Sequence, residues 1–169
     1  GNPASVRSVA SLFLSRVDTA VDKRLDEIGG EALQLRGKTA VAMAKLAYRR
    51  YLERFHGSVF APLRASGARP QFMLWASTGT KNAAYSDLLY VEPLIGPETV
   101  NTLPDATLAA LRDHGHAAPT IEEDIEAAEA QFKALSGLNI DMDLVGRQLQ
   151  EEGLKQFEQA FSALLELTA

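Results

Sequence analysis

The sequence predicts an α/β chain built on a small parallel sheet, and three observations carry that prediction. Short apolar segments alternate with helical ones, the order expected of βα units. Apolar residues make up 46% of the 169, enough for a packed core. A long amphipathic segment then closes the chain.

Residues 6–14 are apolar and partly β-branched, which predicts a strand near Ser8–Leu14. Asp18 to Gly30 reads as a loop with at most a helical turn, punctuated by Gly29-Gly30. Residues 36–56 read as a helix: Val41, Lys45, Tyr48 and Leu52 recur at helical spacing among helix-favouring alanines, and Gly57 can cap it. A further helical turn is expected near Ser58–Ser66, stopped by Gly67. Pro70 introduces the second strand, Gln71–Ala76. A short helix is expected at 83–88 and a third strand at Leu89–Val91, extended by residues 99–102. Pro104 marks the start of a helix over 104–113. Thr120 with Glu123 has the spacing of a capping box for a helix to about Ser136, ended by Gly137. Asp141 or Asp143 opens the last helix, whose apolar stripe is Leu149, Leu154, Phe157, Phe161 and Leu164.

Three parallel strands leave both sheet edges open, and parallel sheets need both faces covered. The pattern therefore reads as a piece of something larger, with the missing part expected upstream of Ser5.

Composition removes several classes of function. No cysteine is present, which excludes disulfide scaffolds, cysteine-ligated zinc and thiol nucleophiles. No apolar run approaches the roughly 20 residues of a membrane helix. The net charge of −5 argues against nucleic acid as a partner. That charge is uneven: residues 1–91 hold 13 Lys/Arg against 7 Asp/Glu, and residues 92–169 hold 4 against 15. A locally cationic region on an acidic protein suits a small anionic substrate.

Two polar segments lie in the cationic half, Ser11–Asp18 and Trp75–Asn82. Each follows or ends an apolar strand and offers hydroxyls with one cation, Arg16 or Lys81. Such strand ends suit a phosphate or carboxylate, because hydroxyls and N–H groups donate hydrogen bonds and the cation supplies charge. Other candidates read more simply. Lys38 and Lys45 sit on a predicted outer helix beside Arg49 and Arg50 and are expected to be surface charges. His114 and His116 lack further ligands at metal spacing and read as a loop pair. His56 reads as a complement to a helix dipole, and Glu122, Glu123, Asp124 and Glu126 as a solvated helix start. Trp75 reads as packing.

Taken in order, the motifs resemble one family. Ala10–Asp18 resembles the sixth-strand motif of transaldolases, and Arg36–Tyr48 the helix that follows it. Leu74–Asn82 is similar to the seventh strand in the bacterial branch that includes fusions to phosphoglucose isomerase. Tyr90–Pro97 with Val100–Pro104 resembles the last strand and its loop, and Glu151–Phe157 the C-terminal helix. The resemblance covers nearly the whole chain.

It implies a (β/α)8 barrel of which residues 1–169 form the C-terminal part, about strands six to eight plus a long C-terminal helix. It implies transfer of a dihydroxyacetone unit between sugar phosphates through a lysine Schiff base, in the cytoplasmic pentose phosphate pathway and without a cofactor. The substrates implied are fructose 6-phosphate, sedoheptulose 7-phosphate, erythrose 4-phosphate and glyceraldehyde 3-phosphate. Carried over by position, Arg16 and Lys81 hold the substrate phosphate, Ser11 and Ser77 are neutral donors, and Phe13 lines the pocket. Better-known branches have arginine where a Gly-Thr insertion here precedes Lys81, and lysine gives no bidentate grip. The family's Schiff-base lysine lies on an earlier strand, so the isolated chain is expected to be inactive and to associate with itself or with the missing N-terminal part. A non-catalytic sugar-phosphate-binding fragment is the alternative.

Overall fold

The computed structural model describes residues 1–168. Three strands form one parallel sheet: β1 (Val9–Phe13), β2 (Phe72–Ala76) and β3 (Thr99–Asn101), with β2 central. Val9 to Phe13 pair with Phe72 to Ala76 in step, and Met73 to Trp75 pair with Thr99 to Asn101. Among the described residues the sheet is accompanied by six α-helices: α1 (Leu14–Ile28), α2 (Thr39–Phe55), α3 (Ala61–Ala65), α4 (Asp105–His114), α5 (Ile125–Gly137) and α6 (Met142–Thr168).

The segment after β1 differs from its expected loop. It is a helix of 15 residues, and it starts at Leu14 with no connecting residue after Phe13. Its cause is an apolar stripe, Leu14, Val17, Val21 and Leu25, spaced by three or four residues and buried throughout. Residues 83–88 form turns instead of a helix, and Leu89–Val91 are turn residues instead of a strand. Their apolar side chains enter the core from a turn, and the third strand forms at Thr99–Asn101 alone.

The Thr120–Glu123 capping box does not form. The Thr120 hydroxyl donates to the Glu92 carbonyl instead, residues 121–124 form a turn, and α5 begins after Asp124 at φ 53°. Asp141 does cap α6, its carboxylate accepting from the N–H groups of Asp143 and Leu144.

The core lies between one face of the sheet and the helices. Met73 and Trp75 of β2 meet α1 and α2, while α5 packs on α2 and α6 on α1. Trp75 is 1% exposed and its indole N–H donates to the Leu94 carbonyl, so it is a packing residue. Lys45 is not a surface charge: it is buried on α2, and its ammonium donates to the carbonyls of Thr120 (2.9 Å) and Glu123 (2.7 Å). Lys38 is exposed. The other sheet face stays open, with Val9, Phe13, Phe72 and Val100 between 36% and 46% exposed.

Candidate functional site

At the C-terminal ends of β1 and β2 the chain makes two abrupt changes of direction. β1 passes straight into α1, and β2 is followed at once by Ser77, a non-glycine residue held at φ 54°. The two ends are joined. Ser15 N–H donates to the Ser77 carbonyl at 3.1 Å, and the two hydroxyl oxygens lie 2.7 Å apart. Thr78, fully buried, donates to the Thr102 carbonyl and ties this end to the exit of β3. The start of α1 has no side-chain cap and no acidic residue in its first turn, so its dipole favours an anion there.

Beside this junction is a cavity of about 570 Å³. Arg16, Lys23, Arg24 and Lys81 line it with Ser15, Thr19 and Ser77, and α6 forms the opposite wall. Among the described residues, the Lys23 and Lys81 ammonium groups have no hydrogen-bond or ion-pair partner. Arg24 is engaged, donating to the Ala20 carbonyl and to Gln148. Arg16 is exposed, and its guanidinium carbon lies 5.3 Å from the centroid of the Phe13 ring. That contact positions the cation without using its N–H groups. Four cations, three hydroxyls and a helix start together suit a phosphate.

The predicted residues divide into two groups. Arg16, Lys81 and Ser77 share the cavity. Ser11 does not line it: side chains alternate along β1, which puts Ser11 with Val9 and Phe13 on the open sheet face. Phe13 sits at the last position of that face, against Arg16. Thr19, Lys23 and Arg24 also line the cavity; they fall in the stretch Asp18–Gly30 whose sequence reads as a loop but which is helical, and Ser15, inside the Ser11–Asp18 segment, joins them.

A second cavity of about 460 Å³ adjoins the first and shares Thr19, Lys23 and Lys81 with it. Its wall holds two buried carboxylates of α1. Asp18 accepts from the Ala40 N–H and the Tyr90 hydroxyl, both at 2.8 Å. Asp22 accepts from the Gly37 N–H at 3.0 Å and the Tyr85 hydroxyl at 2.7 Å. Gly37 is required there, since φ is +65° and a Cβ would lie 2.8 Å from the Tyr85 ring. Desolvation pushes Asp18 up to about 6, with the Asp22 charge adding to the rise, while the Ala40 and Tyr90 hydrogen bonds oppose it. The two pairs fasten the segment after Lys81 to α1. His56 and Tyr51 bind Glu98 at the opposite, N-terminal end of the sheet, away from both cavities. His114 lies between Asp87 and Asp113 at the surface.

Comparison with known proteins gives one consistent result. The family model for transaldolase/fructose-6-phosphate aldolase matches residues 3–168. The transaldolase of Thiobacillus denitrificans is 62% identical over 160 residues, 94% of this chain and 45% of that protein. Those of Neisseria gonorrhoeae and Mycolicibacterium smegmatis are each 49% identical, over 96% and 98% of this chain and 44% and 45% of theirs. The chain thus spans less than half the length of the curated relatives it matches.

Proposed function

Because the chain belongs to the transaldolase/fructose-6-phosphate aldolase family, we propose that it is the phosphate-gripping portion of a transaldolase. In this reading a longer protein completes a (β/α)8 barrel, with β1, β2 and β3 as about its sixth to eighth strands. The open sheet face supports that reading, since Val9, Phe13, Phe72 and Val100 need cover that this chain does not give them.

The reaction proposed is transfer of a dihydroxyacetone unit between sugar phosphates, such as fructose 6-phosphate and erythrose 4-phosphate, through a lysine Schiff base. The reacting amine belongs to a strand outside residues 1–169. Lys45 is desolvated, as such an amine must be, but two carbonyls hold it behind α2 and it lines neither cavity. Arg16 and Lys81 take the phosphate charge, and Ser77 with Ser15 offers hydroxyls. Ser11, facing the barrel interior, would meet the substrate itself and not its phosphate. Anchoring a remote phosphate aids catalysis by fixing the carbonyl end against the amine.

The observation that carries this reading is the convergence of Arg16, Lys81 and Ser77 on one cavity at the strand ends. Titration of the chain with inorganic phosphate, followed by amide NMR shifts at Ser15–Thr19, tests it. Arg16→Ala should weaken binding by about 10-fold or more, the loss expected of a charge-assisted hydrogen bond. Undiminished binding would show that Arg16 has another role. In the longer protein, borohydride with fructose 6-phosphate should trap a covalent adduct outside residues 1–169. An adduct formed on this chain alone would place the nucleophile within it.

A further inference from the structure

The wall of the larger cavity contributed by α6 has no role in the reading above. Gln148, Glu152 and Gln156 recur every fourth residue, a spacing that sets them on one helix face, and all three line the cavity with Arg16 and Lys81. They are linked to α1: Arg24 donates to Gln148 Oε1 at 2.6 Å, and Gln148 Nε2 donates to Glu152 Oε1 at 2.6 Å. The helix comes close to Arg16 at a glycine, where a Cβ on Gly153 would lie 3.8 Å from Arg16 Nη1. Glu152 is the single carboxylate among four cations in this lining.

We propose that Glu152 is a specificity-determining residue of the anion site, selecting phosphate esters of polyhydroxylated sugars over free phosphate. The proposal rests on the phosphate reading of that cavity. A carboxylate there offsets part of the cationic field and so lowers the affinity of every phosphate. It accepts hydrogen bonds from sugar hydroxyls, and Gln156 can donate or accept, so only a ligand carrying hydroxyls recovers the loss. Gln148 holds Glu152 toward the cavity and couples it to Arg24.

The test measures dissociation constants of inorganic phosphate and fructose 6-phosphate for the wild-type chain, Glu152→Gln and Arg16→Ala. Glu152→Gln keeps the acceptor for Gln148 and lies on an exposed helix face, so the helical content should be unchanged. It should bind inorganic phosphate about two- to five-fold tighter at low salt, the range of an exposed charge pair, and the gain should shrink as salt is added. Its preference for fructose 6-phosphate over inorganic phosphate should fall. If Arg16→Ala loses phosphate while Glu152→Gln shifts both ligands equally or neither, the Glu152 proposal is wrong and the site reading stands. If Arg16→Ala or the wild type shows no Arg16-dependent phosphate binding, the site reading fails and this proposal with it.

Discussion

Asp18 shows how one side chain in this molecule serves two ends. It is 1% exposed and carries both the start of α2, through the Ala40 N–H, and the turn after Lys81, through Tyr90. Burial raises its carboxyl to about 6, so the folded chain holds that proton more tightly than the unfolded chain does. Its contribution is therefore fully present only below the ordinary carboxylate value of about 4. It declines as pH rises through about 6, by about 3 kcal/mol at most. Asp18→Asn keeps an acceptor for Ala40 and cannot ionise. In urea unfolding it should gain stability relative to the wild type as pH is raised from about 4 to about 7. A constant difference across that range would mean that Asp18 ionises equally easily in both states. Arg16 was legible because it sits inside a motif and needs no partner to be recognised. Ser15 was not, since its value depends on a hydroxyl 62 positions away and on the chain turning helical at Leu14.

At the scale of elements, α2 and α6 were legible from helical periodicity, and β1 and β2 from short apolar runs bounded by polar or proline residues. The helix α1 was obscured by its charges: Asp18 and Asp22 read as loop residues but are buried against backbone donors and tyrosines from distant segments. Leu89–Val91 failed in the opposite sense, being apolar enough for a strand but buried from a turn. Leu25→Ala separates a core helix from a loop. It should cost about 2–5 kcal/mol in a denaturant melt, whereas a residue on a loose loop would cost nearly nothing. Lys45 makes a second element test. Burial lowers its pKa, with the charges of Asp124 and Glu123 opposing the shift, and its two carbonyl contacts fasten the turn before α5 to α2. Lys45→Met should cost about 1–3 kcal/mol by leaving the Glu123 carbonyl unsatisfied, while the Thr120 carbonyl keeps the Glu123 N–H, and should loosen amide protection at 120–124 first.

For the molecule as a whole, the charge asymmetry of the sequence becomes an arrangement in space. Acidic and amide groups from the second half reach the cationic first half, as in Arg49 with Glu129 and Arg24 with Gln148. The apolar surfaces are less complete. Beyond Leu149 the stripe of α6 is exposed, with Leu154 at 58%, Phe157 at 72% and Phe161 at 62%, and the sheet shows an uncovered face. That much apolar surface predicts association. Light scattering of the isolated chain should report oligomers, and co-expression with the N-terminal half of a related transaldolase should replace them with one defined species. A monomer with a cooperative melt would contradict this. Counting strands in the sequence anticipates the open sheet, whereas the stripe of α6 identifies an apolar face without saying what covers it, since periodicity reports a face and not its partner. The direct passage from Phe13 to Leu14 has a consequence for how this site can change. With no slack between strand and helix, inserting one residue there would turn α1 by about 100° about its axis. Arg16 would then point away from the cavity while the sheet stayed paired. Length at this junction is thus a phase setting for the cation, so variation in it should be far less tolerated than substitution of the residues on either side.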